Sequence, residues 1–101
     1  MSAAAFEQAT QDILKLTKPL EIPQQLKIYG LYKVAKGEDI KATKAPGITD
    51  FSGKAKRKAW QAEVDKGLTQ EEAQQEYVDE VEKLKVTNDF DPNKVPEKVR
   101  A

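Results

Sequence analysis

Tyr29, Tyr32, Lys33 and Lys36 fall at i, i+3, i+4 and i+7, so a helix would project two phenol rings and two ammonium groups from one side. Tyrosine offers a flat face for stacking a nucleobase and a hydroxyl for a phosphate oxygen, and lysine supplies a mobile point charge. A second group is Lys54, Lys56, Arg57 and Lys58, four cations in five residues. They stand in the opening turns of another helical segment, where cations oppose the positive end of the macrodipole. An anion held by the helix N–H groups is one arrangement that would use them. Both groups also have plainer readings. Tyrosines at helical spacing serve as core or core rim, and a basic run serves as a solvated face beside nearby acids. Together the two groups suggest a phosphorylated, aromatic small-molecule ligand.

The residue types that are missing narrow the chemistry further. The chain has 101 residues with no cysteine and no histidine, which removes the thiol nucleophile, the disulfide, the usual general base and the commonest metal ligands. No catalytic residue, metal site or cofactor is assigned. The remaining carboxylates Glu72, Glu76, Asp79, Glu80 and Glu82 read as the solvated face of a helix, so a binding module is favoured over an enzyme. Seventeen basic residues balance seventeen acidic ones, with a pI near 6.3. That balance argues against nucleic acid as the partner, although Lys54 to Lys58 beside Trp60 keeps a nucleic-acid module as a rival. A helical scaffold that docks a partner protein through the second helix is another. A mean hydropathy of -0.71, no apolar run near the roughly 18 residues a span needs, and an opening MSAAAF without signal-peptide character predict a cytoplasmic protein with no stable membrane insertion.

The neutral sum is uneven along the chain. From Lys15 to Lys66 there are 12 basic against 6 acidic residues, and from Gly67 to Asp91 the balance is 2 against 8. Helix signals dominate and nothing reads as a strand. Phe6, Ala9, Ile13 and Leu16 mark a first helix over about 3–16, ended by Thr17-Lys18-Pro19 because the residue before proline avoids helical dihedrals. Pro23 opens a second, which carries Leu26, Ile28, Tyr29, Leu31, Tyr32 and Ala35 to a left-handed cap at Gly37. After a loop with a Pro46-Gly47 turn, a third helix starts near Ser52 with Ala55, Ala59, Trp60 and Val64, and Gly67 stops it. Thr69 and Glu72 form a capping box for a fourth, whose apolar face is Ala73, Tyr77, Val78, Val81 and Leu84. The tail 88–101, with Pro92 and Pro96, has little apolar surface and is expected to be flexible. The domain is then 1–87, four helices around one core.

Three segments carry a resemblance: YGLYKVA (29–35), KAPGITDFSGKAKRKAW (44–60) and EEAQQEYVDEVEKLK (71–85). Their order and spacing resemble the acyl-CoA-binding protein family, also called diazepam-binding inhibitor, over about Phe6 to Lys85. The resemblance implies an all-α, up-down-down-up four-helix bundle. It also implies binding of long-chain fatty acyl-CoA esters without reaction, as a monomeric intracellular carrier and pool former in transient contact with acyl-CoA-using enzymes. Carried over by position, Tyr32 stacks on the adenine, and Tyr29, Lys33 and Lys56 meet phosphate oxygens. Tyr77 reaches the nucleotide from across the groove, and Gly30 and Leu31 lie within the same motif. The acyl chain lies in an apolar groove. The chain departs from the pattern at several places. A first-helix lysine of the family aligns with Leu14, leaving Lys15 one position away. Val34 replaces a glutamine, Gly37 comes one position early, and Arg57 stands where many relatives have a second tryptophan.

Overall fold

The computed structural model describes residues 2–94. Helix α1 spans Ser2–Asp12, α2 Ile22–Ala35, α3 Phe51–Asp65 and α4 Gln70–Thr87, with short 3-10 turns at Ile13–Lys15 and Ile40–Ala42. There is no strand among the described residues, only an isolated antiparallel bridge between Leu16 and Phe90.

Side-chain pairings fix the helix directions. Phe6 meets Tyr77 and Asp12 meets Lys85, so positions climb together and α1 runs parallel to α4. Lys27 pairs with Glu80, Tyr32 with Tyr77, and Gln74 donates to the Ala35 carbonyl, so α2 is antiparallel to α4. Lys33 lies over Trp60 and Lys56 over Tyr29, so α2 and α3 are parallel. The result is the expected up-down-down-up bundle. Helix α2 is central, packed against both α3 and α4. That is why its apolar residues surround it rather than form one stripe.

Local chemistry sets the boundaries. Thr69 Oγ1 accepts from the Glu72 N–H while the Glu72 carboxylate accepts from the Thr69 N–H, at 3.0 and 2.9 Å. A second capping box, Glu21 with Gln24, starts α2 beside its proline; no expectation covered it. Gly37 and Gly67 take φ of 76° and 72°, the left-handed region that a Cβ disfavours. The first helix is shorter than expected because Leu16 is extended and joins the bridge to Phe90, which tightens the turn before it into 3-10 form.

The core contains Phe6, Ala9, Leu16, Ile28, Leu31, Ala35, Ala73, Tyr77, Val81 and Leu84. Burying a Leu or Val side chain contributes roughly 1.5–3 kcal/mol, so this cluster carries most of the cohesion. Gly30 has a packing reason of its own: an added Cβ would lie 2.7 Å from the Ala59 carbonyl oxygen and 2.9 Å from Glu63 Cγ. The α2–α3 crossing therefore closes around the absence of a side chain. Helix α3 departs from its expected apolar face, since Val64 is exposed and the buried positions are Trp60 and Glu63. Lys66 Nζ lies 3.0 Å from the Glu63 carboxylate and supplies its counter-charge.

Residues 88–94, the first half of the segment read as a tail, make contacts with the turn after α1. Asn88 is buried and donates from Nδ2 to the Lys18 and Pro19 carbonyls. Thr17 N–H donates to Asp89 O, Asp91 N–H to Lys15 O, and Lys94 Nζ to Leu16 O. Phe90 adds a partly buried ring against the core. These long-range contacts replace the apolar surface that the local sequence lacks. Residues 95–101 lie outside the described ones.

Candidate ligand-binding site

The parallel packing of α2 on α3 brings the two groups of chemistry-bearing residues together. Tyr29 lies one turn before Lys33 on α2, and Lys56 one turn before Trp60 on α3. Lys33 Nζ is 5.6 Å from the Tyr29 ring centre and 5.4 Å from that of Trp60, and Lys56 Nζ is 5.7 Å from Tyr29. Two ammonium groups thus flank one half-buried tyrosine. Lys36 Nζ, one turn further on, is 6.0 Å from the Tyr32 ring. Cation–ring contacts are worth roughly 0.5–1 kcal/mol when exposed, enough to orient the lysines and too little to occupy them.

Lys33 also pairs with Glu38 at 2.9 Å across the α2 C-terminus. The hydrogen bond it donates to Glu38 raises the lysine above its ordinary value against the opposing effect of burial. Lys33 therefore stays cationic throughout the neutral range. Tyr32 is half-buried and tilts against Phe6 and Tyr77, with ring centres 6.0 and 6.2 Å away. One side of its ring is thus braced by the core.

Three of the expected site residues are buried. Tyr77 is only 3% exposed, edge-on to Phe6 at 5.1 Å. Burial, with a smaller effect from Tyr32, pushes its phenol above the ordinary tyrosine range and keeps it neutral. Tyr77 shares the apolar face of α4 with Ala73, Val81 and Leu84 and packs against Tyr32. Leu31 is fully buried and Gly30 is enclosed by α3; neither presents a side chain to a ligand. Leu14 and Lys15 are both half-buried in the 3-10 turn.

The basic run of α3 divides among several tasks. Asp50 is the N-cap and accepts from Gly53 N–H at 2.9 Å, so a carboxylate already occupies part of the anion position at this helix start. Lys54 donates to the Ile48 carbonyl at 2.6 Å. Arg57 donates to Thr43 Oγ1 at 2.7 Å and to the Ile40 carbonyl at 3.0 Å. It therefore holds the α2–α3 loop in place, a role that the arginine's position in the sequence did not disclose. Lys56 is the member that turns toward Tyr29. Trp60 is 3% exposed and unavailable for base stacking, which removes the aromatic on which the nucleic-acid reading depended. An open concavity of about 560 Å³ lies away from the tyrosines, beside Ala45, Pro46, Lys54 and Lys58.

Over residues 3–81 the sequence matches the family described as Acyl CoA binding protein. The chain belongs to the acyl-CoA-binding protein family. It is 39% identical over 84 residues to an acyl-CoA-binding protein homolog of Drosophila melanogaster, covering 83% of this chain and 94% of that one. A homolog of the same description from Manduca sexta is 35% identical over 79 residues, with 78% and 86% covered. The crystal structure of Oryza sativa Acyl-CoA-Binding Protein 2 superposes with a TM-score of 0.75 at 29% identity, covering 86% of this chain and 93% of that one. Within this family fold, Tyr29, Tyr32 and Lys33 are half-exposed and Lys56 is exposed, whereas Gly30, Leu31 and Tyr77 are buried. Among the described residues no helix is long and apolar enough to cross a membrane, and no cluster of acidic side chains is arranged to hold a metal ion.

Proposed function

We propose that this chain binds long-chain fatty acyl-CoA esters and carries them in the cytoplasm as a monomer, without reacting on them. The ligand is held by the four-helix unit of residues 1–87. The supporting observation is the convergence of Lys33 and Lys56 on Tyr29 beside the braced ring of Tyr32. Two cations and two half-exposed rings suit a phosphorylated adenine nucleotide. Tyr32 offers the stacking face, and Tyr29, Lys33 and Lys56 offer donors to phosphate oxygens. The acyl chain would lie in an apolar groove.

Both parts of the ligand are needed for tight binding. Each methylene removed from water is worth roughly 0.8 kcal/mol, so a chain of about 16 carbons contributes on the order of 10 kcal/mol gross, less the cost of ordering and desolvation. Charge-assisted hydrogen bonds to phosphate add roughly 1.5–3 kcal/mol each. A thioester carried by this site meets no thiol or imidazole, since the chain contains neither. The family consists of binding proteins, and transient contact with acyl-CoA-using enzymes would complete the carrier role. Titration calorimetry with palmitoyl-CoA, palmitate and free coenzyme A tests the reading. Tight binding is expected only for the ester, and palmitate binding as tightly as palmitoyl-CoA would overturn it.

A further inference from the structure

The two cations beside Tyr29 differ in their partners. Lys56 makes no ion pair among the described residues, whereas Lys33 Nζ donates to Glu38 Oε1 at 2.9 Å. That pairing is built into the end of α2. Gly37, at φ 76°, reverses the chain. Its N–H donates to Val34 O at 2.9 Å, and the Glu38 N–H donates to Lys33 O at 3.2 Å. These two bonds make a Schellman cap, which carries the residue after the glycine back over the third-last residue of the helix. An apolar contact is common at that meeting point; here it is Glu38 on Lys33. Gln70 and Gln74 of α4 both donate to the Ala35 carbonyl, at 3.1 and 3.2 Å, and hold the cap from the other side. The place of Glu38 is thus fixed by backbone bonds and does not depend on the ion pair.

Helix capping does not account for an acid at this position. A carboxylate just past a helix C-terminus stands at the negative end of the macrodipole, where it is disfavoured. The neighbouring Asp39 has a local use, accepting from the Lys41 N–H at 3.0 Å as the cap of the 3-10 turn. The Glu38 side chain has Lys33 alone as its partner among the described residues. Its carboxylate oxygen lies at hydrogen-bonding distance from the ammonium group that the proposed ligand needs, where a phosphate oxygen would have to stand. A carboxylate brings one negative charge. A phosphomonoester brings roughly 1.5–2 near pH 7 and three acceptor oxygens, so it can displace the carboxylate where a weaker anion gains little.

We propose that Glu38 is an intramolecular competitor for Lys33: it holds the phosphate position of that lysine until a ligand phosphate displaces it. This competition presupposes the acyl-CoA reading of the site and adds to it a residue that sets affinity. Binding is weaker than the two lysines alone would give, and release is easier, because the carboxylate returns to Lys33 as the phosphate leaves.

Titration calorimetry of the full chain with palmitoyl-CoA and with free coenzyme A is the test. The variants are Glu38→Gln, Lys33→Ala and the two combined, with circular dichroism to establish the fold of each. The cap bonds come from backbone N–H and C=O groups, so Glu38→Gln leaves them in place. Glu38→Gln is expected to tighten palmitoyl-CoA binding about two- to fivefold, the range of a partly exposed ion pair. Free coenzyme A should gain by the same factor, since it carries the same phosphates. In the Lys33→Ala background the substitution is expected to change either affinity by less than about 1.5-fold. Unchanged binding by Glu38→Gln overturns the proposal. So does weaker binding, which would make Glu38 a residue that holds Lys33 in position for the ligand. A gain that persists without Lys33 overturns it too, because the cause would then be net charge rather than competition for one ammonium group. A gain confined to palmitoyl-CoA would place Glu38 at the acyl chain and overturn it likewise. Failure of the wild-type chain to bind palmitoyl-CoA would overturn the proposed function, and the competition with it.

Discussion

Helix α4 buries Ala73, Tyr77, Val81 and Leu84 at spacings of four, four and three, whereas α3 buries only Trp60 and Glu63. Their charges differ as much as their packing. α4 begins with Glu71 and Glu72 and has Lys85 in its last turn, following the macrodipole; α3 has no acid in its first turn and crowds cations behind it. The difference separates two kinds of work. α4 holds the bundle together, reaching both α1 and α2, while α3 rests on α2 alone among the α-helices and turns its side chains to the proposed ligand site, the loop and solvent. Stability and recognition are thus assigned to different helices of one small core, and substitutions in the two should separate accordingly.

The largest expected effect lies on the α4 side. Leu84→Ala should cost about 2–5 kcal/mol of stability, the range for emptying a fully buried leucine position, measured by urea unfolding. Acyl-CoA affinity of the folded fraction should stay near wild type. A comparable loss of affinity would break the division between the helices. On the recognition side, Lys33→Ala should weaken acyl-CoA binding by roughly 1.5–3 kcal/mol by calorimetry, while stability moves by less than about 1 kcal/mol because its partner Glu38 lies at an exposed helix end. An unchanged dissociation constant would remove Lys33 from the site.

The α1–α4 ion pair gives a pH test. Burial alone would raise Asp12, but hydrogen bonds from Lys85 and Gln8 outweigh it and hold the carboxyl below its ordinary 3.8. A lowered folded-state value contributes stability that is present above the unfolded value and lost as pH falls through the folded one. Lys85, raised chiefly by its hydrogen bond to Asp12, contributes stability lost only as pH climbs beyond 10.5. Asp12→Asn should therefore lower stability at pH 7 by about 1–3 kcal/mol, and the gap to wild type should narrow in unfolding curves taken below about pH 4. A gap that stays constant down to pH 2 would place the effect in packing rather than charge. The smallest effect is at the cap: Thr69→Ala should cost about 1 kcal/mol. Thermal unfolding would show it, and an unshifted midpoint would mean that the α4 start is held by tertiary contacts instead.

The limits of legibility follow the same physics. The capping box at Thr69–Glu72, the glycine stops at Gly37 and Gly67, and the apolar stripe of α4 are local, so residue type and spacing suffice to read them. The third helix was read less well. Its apolar residues are sparse, and burial of Glu63 depends on the close approach that Gly30 permits. Tyr29, Tyr32 and Lys33 were readable as one helix face from their spacing, whereas Lys56 joined them only through the family resemblance, and its approach to Tyr29 is a tertiary contact. The burial of Tyr77 was not legible, because a tyrosine on an apolar stripe looks the same whether its ring faces a groove or the core. The Asn88–Lys94 segment was missed because its partners lie some 70 residues earlier, at Lys15 to Pro19.

By itself, then, the sequence determined the four helices, their caps and stops, and the uneven charge that places cations on α2, α3 and their loop. These depend on i to i+4 relationships, which the chain carries wherever it goes. Only the tertiary structure decided that Lys33 and Lys56 close on one tyrosine, that Tyr77 is buried against Phe6, that Arg57 clamps a loop, and that Ile48 and Phe51 remain in water. Each of those depends on which surface of one helix meets another. That is settled by the summed burial and steric fit of the whole core, which no local window of residues contains.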